Sequence, residues 1–130
     1  MRIIVPAADL AQICKLCDAG ADDIYIGFFD EMWSKKFGVF SELNRMSFGA
    51  KANFASELVS EAIFITHSKG RKLYITLNSP AYSLAEIQTV LELIDRYQMW
   101  ACDGFIVSDI SMIEALTGRG YHIKLSRSIQ

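Results

Sequence analysis

The chain has 130 residues, of which 52% are hydrophobic, 12% aromatic and 22% charged, a composition typical of one globular domain with a buried core. Its 13 basic and 15 acidic residues give a net charge of −2, which gives no sign of a nucleic-acid or membrane surface. No apolar run approaches the roughly 20 residues of a bilayer-spanning helix, and MRIIVPAADL does not have the pattern of a signal peptide. We therefore expect a cytoplasmic protein without membrane contact.

Five short segments rich in β-branched and aromatic residues predict strands. In chain order they are RIIVPA, DDIYIGF, KLYITLN, DGFIVSD and YHIKLSRS. The first four are nearly continuous apolar runs, which are typical of strands buried on both faces of a parallel sheet.

Four helical segments separate these strands. The first begins after Asp9 and ends at Gly20, and the second runs from about Asn53 to Gly70. The third begins with SLAE, a capping box, and the fourth is the short SMIEALTGR. This alternation predicts an α/β fold, specifically a partial TIM-type (β/α) barrel with five parallel strands and four helices.

A complete barrel of this type needs eight strands and about 250 residues. We therefore expect residues 1–130 to form a single domain that is the N-terminal portion of a (β/α)8 barrel. Its first and fifth strands should present open edges, which favour pairing with the missing barrel half or with another copy.

The connection FDEMWSKKFGVFSELNRMSFGAKANF shows no predicted element. A structureless loop of about 25 residues is rare inside a domain and is usually functional. Two hypotheses stay open: a loop that folds over the barrel mouth, or a packed excursion without chemistry.

The cysteines are Cys14, Cys17 and Cys102, an odd and low number that indicates reduced thiols. The CKLC pair falls in mid-helix rather than at a helix N-terminus, so we interpret it as structural. Because there is no second C-x-x-C, a four-cysteine zinc site is not predicted.

Several segments resemble the collagenase-like protease family, peptidase family U32. They are GADDIYIGF, ELNR followed by AKANF, LYITLNSPAYS and CDGFIVSD, and the likeness runs from VPAADL to IKLS. The resemblance implies the N-terminal part of a (β/α) barrel catalytic domain. It also implies one of two activities. One is peptide hydrolysis. The other, as in several bacterial members, is a hydroxylation, either of RNA bases or of an intermediate in quinone synthesis.

The hydroxylating members carry an iron–sulfur cluster on cysteines that lie farther along the chain than residue 130. The three cysteines here do not match those positions, so we assign no cofactor or metal to this segment. Small-molecule, peptide and RNA substrates all stay open.

Active sites of (β/α) barrels form at the C-terminal ends of the strands. Asp109 follows the fourth strand and is a candidate cation ligand or catalytic base, or simply a helix cap. Asn78 follows the third strand and is a candidate donor to a substrate carbonyl or phosphate, or a turn residue. Tyr82 lies just beyond it and is a candidate for substrate binding.

Arg45 and Asn53 lie in the family-like ELNR…AKANF segment, and we predict that they bind substrate. Arg forms bidentate contacts with carboxylate or phosphate, although an exposed Arg is often only solvated. In the fifth strand, alternation places Lys124 and Ser126 on the barrel interior. We predict that both are catalytic and that Lys124 faces a polar lumen, since an unpaired buried ammonium is costly.

The only histidines are His67 and His122, and neither follows a strand, so no Ser-His or Cys-His arrangement is predicted. Two function classes stay open. One is the N-terminal segment of a U32-type enzyme. The other is a non-catalytic half-barrel that self-associates through its open edges.

Overall fold

The computed structural model of the chain describes residues 2–38, 43–44 and 53–126. Its strands are β1 (Ile4–Pro6), β2 (Asp23–Ile26), β3 (Phe28–Phe29), β4 (Phe54–Ala55), β5 (Lys72–Leu77), β6 (Gly104–Val107) and β7 (Ile123–Leu125). Five of them form a parallel sheet in the order β1-β2-β5-β6-β7, and β3 pairs with β4 in a separate parallel sheet.

The helices are α1 (Leu10–Asp18), α2 (Glu31–Phe37), α3 (Val59–Ser68), α4 (Leu84–Arg96) and α5 (Ile110–Gly118). The main strands are neighbours in chain order, so each right-handed crossover places its helix on the same face of the sheet. A doubly wound fold would reverse the strand order instead. The α/β prediction with five parallel strands is therefore confirmed. Within the described ranges, no helix is both long and apolar enough to cross a membrane.

The prediction of four helices is wrong, because α2 forms inside the connection that we expected to lack structure. Trp33 and Phe37 lie four residues apart and pack on each other, with ring centroids 4.6 Å apart. Glu31 lies in the first turn and Lys35 and Lys36 in the last, which suits the helix dipole. The helix ends at Gly38, whose φ of +93° favours glycine.

The start of the next helix also differs from its prediction. Instead of beginning near Asn53, the chain first forms β4, beside β3, and then a single 3-10 turn over Ser56–Leu58. The α3 helix begins at Val59 and includes the β-branched run AIFIT. Tertiary packing outweighs the strand propensity of that run, since Val59, Ala62 and Ile63 are all buried.

The core lies between the helices and one face of the main sheet. Strand register aligns Ile24 with Leu73 and Ile75 with Phe105, and all four are buried. The opposite face, here called the inner face, carries the alternate residues of each strand. Its members from β2 to β7 include Tyr25, Tyr74, Thr76, Ile106 and Lys124.

Side chains at the C-terminal edge of the sheet fix the starts of three helices. Asp9 accepts a hydrogen bond from the Gln12 N–H, and Ser83 and Glu86 form the predicted reciprocal capping box. Asp109 accepts a hydrogen bond from the Met112 N–H at 2.8 Å. Each cap satisfies an N–H group that has no partner within its own helix.

Gly104 is the point of closest approach between β6 and its neighbours. A Cβ atom built there would lie 3.1 Å from the His122 carbonyl oxygen and 3.2 Å from Cδ1 of Tyr74. The inner face therefore has no room for a side chain at this position.

We expect Gly104→Ala to lower the free energy of unfolding by about 1–3 kcal/mol, because the added methyl group overpacks a tight site. Gly118→Ala is the matched control, since a Cβ there meets nothing within 4 Å. Because Gly118 lies in α5, its substitution by Ala should raise the free energy of unfolding by about 0.5–1 kcal/mol. Urea denaturation of both variants measures the difference, and equal midpoints would contradict the expectation.

Candidate functional site

Three polar residues lie side by side at the C-terminal edge of the main sheet. Register aligns Leu77, Val107 and Leu125. The residues that follow them are Asn78, Ser108 and Ser126, here called the rim row. The Ser126 N–H donates to the Val107 carbonyl at 2.8 Å, which continues the ladder to this row. By strand alternation the rim row shares the inner face.

Lys124 lies two residues before Ser126 on the same face, aligned with Thr76 and Ile106. Its side chain is exposed, and Nζ lies 4.9 Å from the centre of the Tyr74 ring, a cation–π contact. Strand register therefore places Asn78, Lys124 and Ser126, three of the four residues predicted to be catalytic, near the C-terminal ends of β5 and β7, with β6 between Asn78 and the other two.

Sequence reasoning missed Tyr74. It is buried, and it is aligned with Gly104, whose lack of a side chain allows the Tyr74 ring to approach β6 closely. Burial, together with the carboxylate of Asp23, raises the pKa of the Tyr74 phenol, so the ring stays neutral near pH 7. Alternation along KLYITL was the available signal, since it places this residue two positions before Thr76 on the inner face.

Asp109 is the fourth predicted catalytic residue, and it follows Ser108 directly. Its carboxylate caps α5, so the capping alternative is observed. The two roles are compatible, because a carboxylate has more acceptor positions than one N–H uses. A catalytic role for Asp109 stays a prediction.

Tyr82 holds the long connection against the strand ends. Its buried hydroxyl accepts from the Ser79 N–H at 3.3 Å and donates to the Leu43 carbonyl. Nearby, the Asn44 side chain donates to the Phe28 carbonyl at 3.1 Å. Tyr82 therefore has a structural contact, and its substrate-binding role stays a prediction.

Asn53 is buried at the other end of the same sheet edge, near β1. It lines a cavity of about 490 Å³ together with Ala8, Asp9, Phe29 and Leu58. The Phe54 N–H donates to the Gly27 carbonyl at 2.9 Å, so Asn53 lies beside the end of β2, the strand next to β5. Arg45, the other residue predicted to bind substrate from this segment, lies outside the described residues.

Both histidines lie at the opposite, N-terminal edge of the strands. His67, at the end of α3, contacts the carboxylate of Asp103 with Nε2 at 2.7 Å. Asp103 precedes β6 and also accepts from the Leu73 N–H at 2.8 Å. His122 precedes β7. In the described part of the chain, no group of three His, Cys, Asp or Glu is placed to hold a metal ion.

The three cysteines are free thiols. Burial raises the pKa of Cys17, and it raises the pKa of Cys102 to about 12. The Cys102 thiol also donates to the Gly104 carbonyl at 3.3 Å. Both groups stay protonated at neutral pH, which suits a structural role rather than a redox one.

Comparison with known proteins gives one family match over most of the chain. The family model described as peptidase family U32 matches residues 8–130. No solved structure matches the chain. The matched region begins just after the end of β1 and includes every other element described above.

We expect the contribution of Cys102 to stability to fall at alkaline pH. The unfolded thiol ionises near pH 8.5, whereas the folded thiol stays protonated until about 12. The contribution is therefore full below about pH 8.5 and decreases by about 1.4 kcal/mol per pH unit above it. The measurement is the stability difference between the wild type and Cys102→Ala from pH 7 to 11. A constant difference would contradict the shift.

We expect Tyr82→Phe to lower the free energy of unfolding by about 1–2 kcal/mol, because it removes the hydroxyl that hydrogen-bonds to both Ser79 and Leu43. Hydrogen exchange should become faster at Ser79 in particular. Tyr25→Phe is the control on the half-buried inner face, and it should change neither quantity. Unchanged exchange at Ser79 would show that the hydroxyl bridge does not hold the segment.

Proposed function

The chain belongs to peptidase family U32, and from this premise we propose that it forms the substrate-binding first half of a (β/α) barrel enzyme that acts on peptides. One observation carries the proposal: strand register places the rim row of Asn78, Ser108 and Ser126 at the C-terminal ends of β5, β6 and β7, with Lys124 two residues before Ser126. Barrel enzymes bind substrate at this edge.

The rim row suits the backbone of an extended peptide. The row combines the amide of Asn78 with the hydroxyls of Ser108 and Ser126, side-chain types that both donate and accept hydrogen bonds. Such groups match the alternating N–H and C=O groups of a peptide chain. We propose that Asn78 and Ser126 align the substrate, and that Asn53, Tyr82 and Arg45 extend the binding surface.

Lys124 supplies the positive charge of this site. When water attacks a peptide carbonyl, negative charge develops on the carbonyl oxygen, and a positioned ammonium stabilises it. Nζ lies over the Tyr74 ring, which does not neutralise its charge, and it turns toward the strand ends to reach a bound carbonyl. We assign Asp109 the role of the base that takes the proton from the attacking water.

Two further proposals share this site or this fold. In the first, the rim row and Lys124 bind an RNA or quinone substrate of a hydroxylation reaction, with the cofactor held by other parts of the protein. In the second, the half-barrel is non-catalytic and self-associates. The exposure of Ile4 (41%) on β1 and Leu125 (72%) on β7 favours the second, because both strands are edges of the described sheet. We also propose a cytoplasmic location, because free thiols persist there.

We expect Lys124→Met to lower kcat/KM for a gelatin-derived peptide by about 10²–10³-fold, since it removes one group that stabilises the transition state. Lys72→Met is the matched control, because Lys72 is an exposed lysine of the same inner face at the opposite end of β5. It should leave kcat/KM unchanged. Equal losses in both variants would contradict the role of Lys124.

Binding measurements separate the three proposals. On titration of the ¹⁵N-labelled protein, a peptide should shift the amide signals of the rim row, and Asn78→Ala should weaken that binding. Transfer RNA that shifts the same signals with a steep salt dependence would favour the hydroxylation proposal. A stable dimer in size-exclusion chromatography that binds neither ligand would favour self-association.

A further inference from the structure

A second cleft lies on the helix side of the main sheet, between α2 and α4. Its volume is about 310 Å³, within the range of small-ligand sites. Lys36 of α2 donates from Nζ to the Thr89 hydroxyl of α4 at 2.8 Å, so the two helices are joined across the cleft. The rim row and Lys124 are not among its lining residues.

The lining of this cleft is charged at both signs. Lys35, Lys36 and Arg96 supply three positive charges, and Asp30 and Glu92 supply two negative ones. Two apolar residues, Met32 and Leu93, complete the contact surface. A ligand that fits this lining carries both a cation and an anion and has an apolar portion.

Asp30 is the residue that most requires a ligand. It is only 7% exposed, and its Oδ1 accepts from the Ser56 hydroxyl at 2.9 Å. Oδ2 is also buried, and no donor within the described ranges reaches it. A buried carboxylate oxygen without a donor is costly, and an ammonium group is the donor that best offsets its charge.

The spacing of the charges limits the length of the ligand. Asp30 and Lys36 are separated by six residues along α2, which correspond to about 9 Å at 1.5 Å per residue. An extended chain spans at most about 3.5 Å per residue. Two or three residues therefore suffice to join an ammonium at Asp30 to a carboxylate at Lys36.

We propose that the cleft between α2 and α4 binds a short peptide with free termini, two or three residues long. Its ammonium pairs with the Asp30 carboxylate, whose side chain turns toward the cleft on binding so that Oδ2 becomes accessible, and its carboxylate contacts Lys36 and Arg96. Its apolar side chain packs on Met32 and Leu93. This site is distinct from the rim row and does not depend on the proposed activity.

The test titrates the ¹⁵N-labelled protein with the tripeptide alanyl-leucyl-alanine. We expect shifts in the amide signals of α2 and α4, with a Kd of about 0.1 mM for a ligand of this size. The N-acetylated and C-amidated forms each remove one terminal charge. Each should bind about tenfold more weakly or worse, since each loses a charge-assisted hydrogen bond.

Variants of the protein test the same contacts from the other side. Asp30→Asn keeps an acceptor for Ser56 but removes the negative charge. It should therefore weaken binding of the free tripeptide about tenfold and leave binding of the N-acetylated form unchanged. Lys36→Met should weaken binding of the free tripeptide in the same way and leave binding of the C-amidated form unchanged. Lys15→Met on α1, an exposed lysine away from the cleft, is the control.

Three results would overturn the proposal. One is the absence of shifts in α2 and α4 at 10 mM tripeptide, which would indicate that water alone satisfies Asp30. Another is equal binding of the free and N-acetylated peptides. The third is a set of shifts confined to Asn78, Ser108 and Ser126, which would support the function proposed for the rim row while excluding a ligand in this cleft.

Discussion

The parallel register of the five main strands is the constraint on which the rest of the structure depends. Register aligns Ile24, Leu73, Ile75 and Phe105 on the face that the helices cover. Burial of such side chains is the main favourable term in folding, at about 25 cal/mol per Å² of apolar surface. A shift of one residue in any strand would move its apolar side chains to the opposite face. The same register thereby determines which residues occupy the inner face.

The two faces of the sheet therefore differ in composition. The helix face is apolar and packed, whereas the inner face combines aromatic, hydroxyl and ammonium groups. Lys124 belongs to that face only because Ile123 packs toward the core on the other side. Gly104 completes the arrangement, since the Tyr74 ring packs closely where a side chain would otherwise lie. One alternation pattern thus determines both the packed core on the helix face and the candidate site on the inner face.

Much of this was predictable from local patterns. Strand composition, capping residues and the β-α alternation predict five strands in order, and alternation along YHIKLSRS predicts the orientation of Lys124 and Ser126. Helix α2 was missed because its signal is short: one aromatic pair, Trp33 and Phe37, with charges suited to the dipole at each end. The hydrogen bond from Tyr82 to Leu43 joins residues that are 39 positions apart in the sequence. Such a contact depends on tertiary packing, and no periodicity in the sequence reports it.

The caps of α1 and α5 have a consequence for the chemistry of the substrate. In many barrels the N-terminus of a helix at the strand-end edge binds a phosphate group, because its free N–H groups and dipole attract an anion. Here Asp9 and Asp109 already occupy these positions with carboxylates bonded to the helix N–H groups. An incoming phosphate would have to displace them and would meet their negative charge. At these two helices the capping carboxylates therefore hold the position that a phosphate group would take.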